Sequence, residues 1–343
     1  MPRITNSMLT ANYLSNMRRN LGNMSTIQNQ LATGKQIQRA SENPYKAVRS
    51  MQLNVEIDSN KQYNSNITNT TNWLNTTDTA LGQANNIMKR INTLMIKAGN
   101  AAYKDDEISA IKDEVGQKIN ELTGVLNTSF DGNFIFGGNK STSKPVIQDA
   151  NGGICYADKN GAILNTATDP KVYDQLKASL KTEISDGIIV DYNKTAVDLL
   201  EFKNNKNQNI NAMDQLSNIM TCLGIASGES ASGVIKNVGG GTTTISSSQD
   251  AISQLTGNLL GYCTDISTNI SKLRSNVGAM QNRMESSKTT NEDQTFNMTS
   301  ILSETEDIDF TEKTMEYSVL QTVYTASLQT SAKVLSRTLM DYL

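Results

Sequence analysis

QNQLATGKQIQRASENPYKAVRSMQL, residues 28–53, is the stretch on which the fold turns. A helical pattern runs into it and should end at Gly34, because glycine readily takes the left-handed conformation of a helix C-terminus. A second helix should open at Pro44, where Asn43 can cap it and proline at the first position forfeits no needed donor. The segment therefore reads as a polar elbow joining two long amphipathic helices.

Upstream of the elbow, Leu14, Met17, Leu21, Met24 and Leu31 stand three, four, three and seven residues apart, and Gln28 fills the gap. That spacing predicts a coiled-coil seam. Downstream, Tyr63, Ile67, Thr70, Leu74, Thr77, Leu81, Ala84, Met88, Ile91, Met95 and Ala98 alternate three- and four-residue steps without a break. Such a row predicts one long helix from Pro44 to about residue 102, roughly 85–90 Å at 1.5 Å per residue. Acidic Asp105, Asp106 and Glu107 suit the start of the next helix. Its stripe of Ile108, Ile111, Val115, Ile119, Leu122 and Leu126 should fold back on the long one.

Residues 139–209 lose the helical period. Glycine pairs and Asn160-Gly161 mark turns, Gly187–Tyr192 reads as a strand, and Asp174–Leu180 could form a short helix, so a small β-rich insert is expected. Helical period returns at Ala212, Leu216, Ile219 and Leu223. Ser227–Ser248, rich in Gly, Ser and Thr, reads as a flexible loop or a poor hairpin. A heptad row then runs from Ile252 through Leu255, Leu259, Ile266, Leu273 and Val277 to Met284. The last helix carries Tyr317, Leu320, Tyr324, Leu328, Leu335 and Leu339 on one face.

Composition narrows the function. The 343 residues carry 31 basic and 34 acidic side chains, a net charge of −3, which gives no support to nucleic-acid or anionic-membrane binding. No apolar run approaches the roughly 18 residues of a membrane span, and residues 1–20 lack the apolar h-region expected of a secretory signal. Apolar residues reach only 37% and charged ones 19%, so narrow helical seams are expected in place of a thick core. Histidine is absent, which excludes Ser-His-Asp triads, Cys-His pairs and HExxH metal sites together. The three cysteines, Cys155, Cys222 and Cys263, lie far apart and suggest neither a zinc site nor a disulfide framework.

Three further groupings have bland readings. Gly138-Asn-Lys-Ser-Thr142 lacks the contiguous Gly-Lys-Ser/Thr of a phosphate loop and reads as a turn. Asp158–Gly161 resembles part of a calcium loop, but Tyr156 and Ala167 stand where the first and last carboxylates belong. Glu304, Glu306, Asp307 and Asp309 cluster near a helix start, which complements its dipole. No cofactor, metal or catalytic residue is expected.

The wording of three segments adds to this reading. QLATGKxIxxxSENPxxA at the elbow, SFDGNFIFGG at 129–138, and VGAMQNRME at 277–285 with the ending AKVLSRTLMDYL closely resemble the flagellin superfamily. The Asn43-Pro44 pair and the C-terminal ending resemble its hook–filament junction members more than flagellins, which usually carry alanines at those two positions. The likeness spans roughly residues 4–138 and 250–343. It implies a non-enzymatic structural protein of the bacterial flagellum, exported by the flagellar type III system without a cleaved signal. It implies as partners further copies of the same chain in a ring, hook-associated protein 1, flagellin and a flagellar export chaperone.

The expected fold is mainly α: an elongated antiparallel coiled-coil bundle with paired terminal helices and a small inserted β-rich domain. Residues 1–40 should pair with 300–343, residues 41–138 should form a bundle completed by 210–299, and 139–209 should be the insert. The expected subunit interface comprises Leu14, Met17, Leu21, Met24, Leu31, Leu320, Tyr324, Leu328, Leu335 and Leu339, next to the elbow of Gly34, Asn43 and Pro44. Flagellin itself is the alternative within this class, and an enzyme with its site in the insert is the remote one.

Overall fold

The computed structural model describes residues 6–100, 104–149, 152–164 and 169–334. Helix α1 spans Asn6–Thr33 and α2 spans Pro44–Ala98, and between them Gly34 adopts φ +73°. Asn43 Oδ1 accepts a hydrogen bond from the Lys46 amide at 3.2 Å, capping α2 one residue before Pro44. Both punctuation marks of the elbow therefore act where their chemistry places them.

The chain divides into two units, one formed by Met1–Gln62 with Glu292–Leu343 and one by Tyr63–Asn291. The second unit contains α3 (Asp105–Leu126), α6 (Ala212–Ala226) and much of α2 and of α8 (Leu260–Glu306). Every member of the α2 row from Ile67 to Ala98 is buried, as is the whole Ile108–Leu126 stripe of α3. Polar pairs flank the α2–α8 seam at steps of three and seven residues. Asn92 donates to Thr264 and Ser267 to Asn85, Arg274 holds Asp78 at 2.8 Å, and Gln281 donates to Asn75. Their numbers rise on one helix as they fall on the other, so the two run antiparallel.

Trp73, Ala80, Ile87 and Leu94 form a second buried row on α2, adjacent to the first. One row closes a two-helix seam, whereas two rows require a third layer. A further layer in the same buried cluster is made by α6, ten of whose fifteen residues are buried, and by five two-stranded antiparallel sheets. These are β1–β2 (Ser129–Phe130, Asn133–Phe134), β3–β4 (Val146–Gln148, Ile154–Tyr156) and β5–β6 (Lys181–Ser185, Ile188–Asp191). The others are β7–β8 (Glu201–Lys203, Asn209–Asn211) and β9–β10 (Gly233–Asn237, Gly241–Ile245). Short helices α4 (Pro170–Lys177), α5 (Ala196–Leu200) and α7 (Ser248–Gln254) fill the gaps, and a π-helical turn at Leu255–Leu259 joins α7 to α8.

Of the two readings of Ser227–Ser248, the hairpin is the one formed, with five paired positions and with Ile235 and Ile245 buried. The expectation of narrow seams needs correction, because the core is thick. Val146, Ile154, Tyr156, Leu176, Ile184, Val190 and Leu200, all from 139–209, belong to the same buried cluster as the helices. Low overall apolar content concealed this, since composition does not tell which apolar residues are buried, and among the described residues nearly all of the buried ones lie within Tyr63–Asn291.

Several groupings keep their bland reading. Lys140 is buried, and its ammonium donates to the carbonyls of Lys144, Ala157 and Asp158 at 2.7–3.2 Å, a turn-closing role. Burial pushes the Cys222 thiol up to about 11 and the Cys263 thiol to about 12, far from a reactive thiolate. Among the described residues no group of acidic or cysteine side chains could hold a metal ion, and no helix is long and apolar enough to cross a membrane.

Candidate interaction site at the terminal helices

In the first unit, α1 lies antiparallel to α9 (Phe310–Val334). The Tyr13 hydroxyl donates to the Ser327 carbonyl at 2.7 Å, and the Asn20 amide to that of Leu320 at 3.3 Å. The seam on α1 follows Tyr13, Met17, Asn20, Met24, Ile27 and Leu31, of which only Ile27 is buried and the rest are half-buried. On α9, Tyr317, Leu320 and Tyr324 are half-buried.

The expected interface residues therefore fall into three groups. Met17, Met24, Leu31, Leu320 and Tyr324 share the face on which the two helices meet. Leu14, Leu21 and Leu328 sit off it, 46%, 45% and 44% exposed. Leu335 and Leu339 lie outside the described residues. The seam also includes Tyr13, Asn20 and Ile27, which hydrophobic spacing alone passed over because Asn20 is polar. A 4-3 pattern through these residues shares Met17, Met24 and Leu31 with the 3-4 pattern through Leu14 and Leu21, and the Tyr13 and Asn20 contacts and the burial of Ile27 distinguish them.

Beside the seam runs a groove of about 650 Å³, lined by Asn23, Thr26 and Ile27 on α1 and by Met315, Val319 and Leu320 on α9. Met315, Val319 and Val323 are exposed, as are Tyr45, Val48, Met51 and Val55 at the start of α2. Phe296 on α8 is 75% exposed.

The elbow is tied to the α8–α9 junction. The Gln36 amide donates to the Glu306 carbonyl at 2.5 Å and the Ile308 amide to that of Gly34 at 3.1 Å. Lys35 bridges Glu306 at 2.6 Å and Asp307 at 3.0 Å, while Ser50 donates to the other Glu306 oxygen. Hydrogen bonds to Glu306 and then Asp307 hold the Lys35 ammonium above its ordinary range. The Ser303 hydroxyl, then Lys35, holds the Asp307 carboxyl below its own. Asp309 accepts from the amides of Thr311 and Glu312 and caps α9. The acidic cluster thus does more than complement a dipole: Glu306 and Asp307 fasten two segments 271 residues apart in sequence. At Gly34 a β-carbon would meet the Phe310 ring at 3.7 Å, an ordinary contact, so the positive φ is what calls for glycine there.

The described residues of this unit thus present a pair of helices, α1 and α9, with the polar elbow fastened to the α8–α9 junction. The bacterial flagellin N-terminal helical region matches residues 4–141 and the flagellin C-terminal helical region matches 260–343, together well over half of the chain. The chain belongs to the flagellin family, whose members are structural proteins and not enzymes. The flagellin of Clostridium tyrobutyricum is 26% identical over 194 residues, 56% of this chain and 49% of that protein. The flagellar filament 41 kDa core protein of Borreliella burgdorferi is 27% identical over 37% of this chain and 38% of its own length. The chain thus spans about half or less of these relatives.

Among solved structures, a putative flagellar hook-associated protein from Vibrio parahaemolyticus shares the fold at TM-score 0.58 and 16% identity. The match covers 78% of this chain and all of that one. Hook-associated protein 3 from Legionella pneumophila matches at 0.57 and 13% identity, over 74% of this chain and 98% of that one. The fold is therefore that of flagellar hook-associated proteins.

Proposed function

We propose that this chain is a junction subunit of the bacterial flagellum, forming the layer between hook-associated protein 1 and the flagellin filament. One observation carries the reading. Among the described residues, fourteen of the nineteen large apolar side chains left exposed belong to the unit that holds the termini and the elbow. Exposed apolar area at that density marks a surface meant for other chains. Leu14, Leu21, Leu328, the Met315–Val323 stripe and the Tyr45–Val55 stripe are the contacts that neighbouring subunits would cover. The helical seam of Met17, Met24, Leu31, Leu320 and Tyr324 would tighten as they do so. Further copies arranged as a ring, hook-associated protein 1 and flagellin are the partners. Export would follow the flagellar type III route with a dedicated chaperone.

The fold likeness to hook-associated proteins and the Asn43-Pro44 elbow support the junction role. The sequence relatives, which are flagellins, favour the second reading, a filament subunit. Electron microscopy of a deletion strain separates them. Hooks without filaments, with monomeric flagellin released into the medium, are the expected result. Filament loss with no flagellin in the medium would favour the filament subunit, and normal filaments would refute both readings.

A further inference from the structure

A cavity of about 570 Å³ opens between α2 and the β1–β2 and β5–β6 hairpins, wholly within the Tyr63–Asn291 unit. The volume lies in the range of roughly 300–1,000 Å³ typical of small-molecule sites. Its aromatic wall is Trp73 with Phe130 and Tyr192 set edge-on to it, ring centres 6.2 and 5.9 Å away at 84° and 86°. Trp73 is 8% exposed, and its indole N–H finds no acceptor among the described residues. That nitrogen is itself enclosed, so the partly exposed rings of Phe130 and Tyr192, more than the indole, are the aromatic faces a ligand can reach.

The remaining lining is polar and almost neutral. Asn66, Asn69 and Asn133 contribute amides, Thr70 and Thr182 hydroxyls, and the two charges, Asp131 and Lys181, offset each other. Each amide both donates and accepts, as each hydroxyl does. We infer that this cavity binds a pyranose sugar. One face of a pyranose ring is a layer of C–H bonds, which packs on the negative face of an aromatic ring. Its rim carries hydroxyls that both donate and accept, matching amides and threonines and not a charged anchor. Phosphate-bearing ligands fit poorly, since Lys181 is the one basic residue in the lining and Asp131 opposes it. An extended peptide needs successive side-chain pockets along a strand edge, whereas this is a single recess. The inference is independent of the junction role, because none of the lining residues lies in the unit with the exposed apolar stripes.

Trp73 is the chain's sole tryptophan, so intrinsic fluorescence reports this cavity directly. The full chain is titrated with the methyl glycosides of glucose, galactose and mannose, with N-acetylglucosamine, and with the tetrapeptide Ala-Asn-Thr-Ala. The expected result is a saturable change in Trp73 emission with at least one sugar and none with the peptide. Asn69→Ala and Asn133→Ala, at the cavity's edge, should each weaken that response about tenfold while leaving the melting curve unchanged. Tyr192→Phe, which keeps the ring, should retain it. A response confined to N-acetylglucosamine would indicate cell-wall glycan as the source, and one confined to the other sugars an extracellular polysaccharide; either supports the inference. No saturable response to any sugar, an equal response to the peptide, or a sugar response unchanged in both asparagine variants would overturn it.

Discussion

Helix α2 from Tyr63 onward and helix α1 are written in the same heptad grammar and end in different states. The α2 segment buries two adjacent rows, Leu74, Leu81, Met88 and Met95 beside Trp73, Ala80, Ile87 and Leu94. The α1 helix offers one row with Asn20 in it, and its apolar members are mostly half-buried. Among the described residues of the terminal unit, only Ile27, Leu53 and Ile57 are buried apolar residues. The width of the apolar face, more than the presence of a repeat, decides whether a helix is satisfied within its own chain. A one-row helix closes against one partner and leaves its flanks for others, whereas a two-row helix builds a core. A polar residue in a seam, as at Asn20, fixes register at a cost in stability.

The sharpest way to break this comparison is truncation in each region. Leu81→Ala or Met88→Ala should lower unfolding stability by about 2–5 kcal/mol, read by denaturant melts, because both side chains are fully buried. Leu21→Ser with Val319→Ser should change it by no more than about 0.5 kcal/mol, since both residues are exposed, yet prevent stable incorporation at the hook tip. Equal stability losses from the two sets would show that the terminal unit has an ordinary core.

Replacing 139–209 with a short Gly/Ser linker should have a comparably large effect. It removes Val146, Ile154, Leu176, Ile184, Val190 and Leu200 from the shared cluster and exposes the second row of α2. We expect loss of near-ultraviolet circular dichroism from Trp73 and of cooperative melting. A variant that melts cooperatively at the native temperature would show that the helices close without the insert.

The parts of this architecture legible in sequence were those encoded locally. Gly34, Asn43 and Pro44 act through their own backbone chemistry, and the α2 and α3 stripes needed only their spacing. The shared core was not legible, because strands of two to five residues carry too little period to show which face is buried. The Asn20 seam was hidden by polarity. The Lys35–Glu306 fastening was hidden by distance along the chain, since no local pattern pairs residues 35 and 306. The aromatic cavity was likewise assembled from three remote segments.

Hydrogen exchange sharpens the comparison at intermediate magnitude. Amides of α1 and α9 within 10–30 and 314–330 should exchange much faster in dilute protein than those of α2 within 70–95. Opening the terminal pair exposes little apolar surface, whereas opening the bundle disrupts the shared core. Comparable protection in both regions would contradict the one-row argument.

The smallest effect belongs to the elbow fastening. Lys35 and Asp307 are each close to half exposed in their side chains, so their ion pair is largely screened by water. Lys35→Met should therefore cost no more than about 1 kcal/mol. Its pH dependence follows from the signs of the two shifts. The Asp307 carboxyl titrates below its ordinary value, so its contribution is complete above about pH 4 and fades as pH falls through the lowered value. The Lys35 ammonium titrates above its ordinary value, so its contribution is complete below about pH 10 and fades as pH rises through the raised value. Between these limits the difference in stability between the natural chain and Lys35→Met should be flat, and at either extreme it should shrink. Melting both proteins from pH 3 to 11 tests this, with pH limits set by about one unit beyond the ordinary Asp value and half a unit beyond that of Lys. A difference that grew toward acid would mean that Lys35 does not act through the Asp307 carboxylate. The remaining attachment of the elbow would then rest on the Ser50–Glu306 bond and the backbone bonds from Gln36 and Ile308, which no side-chain substitution at residue 35 removes.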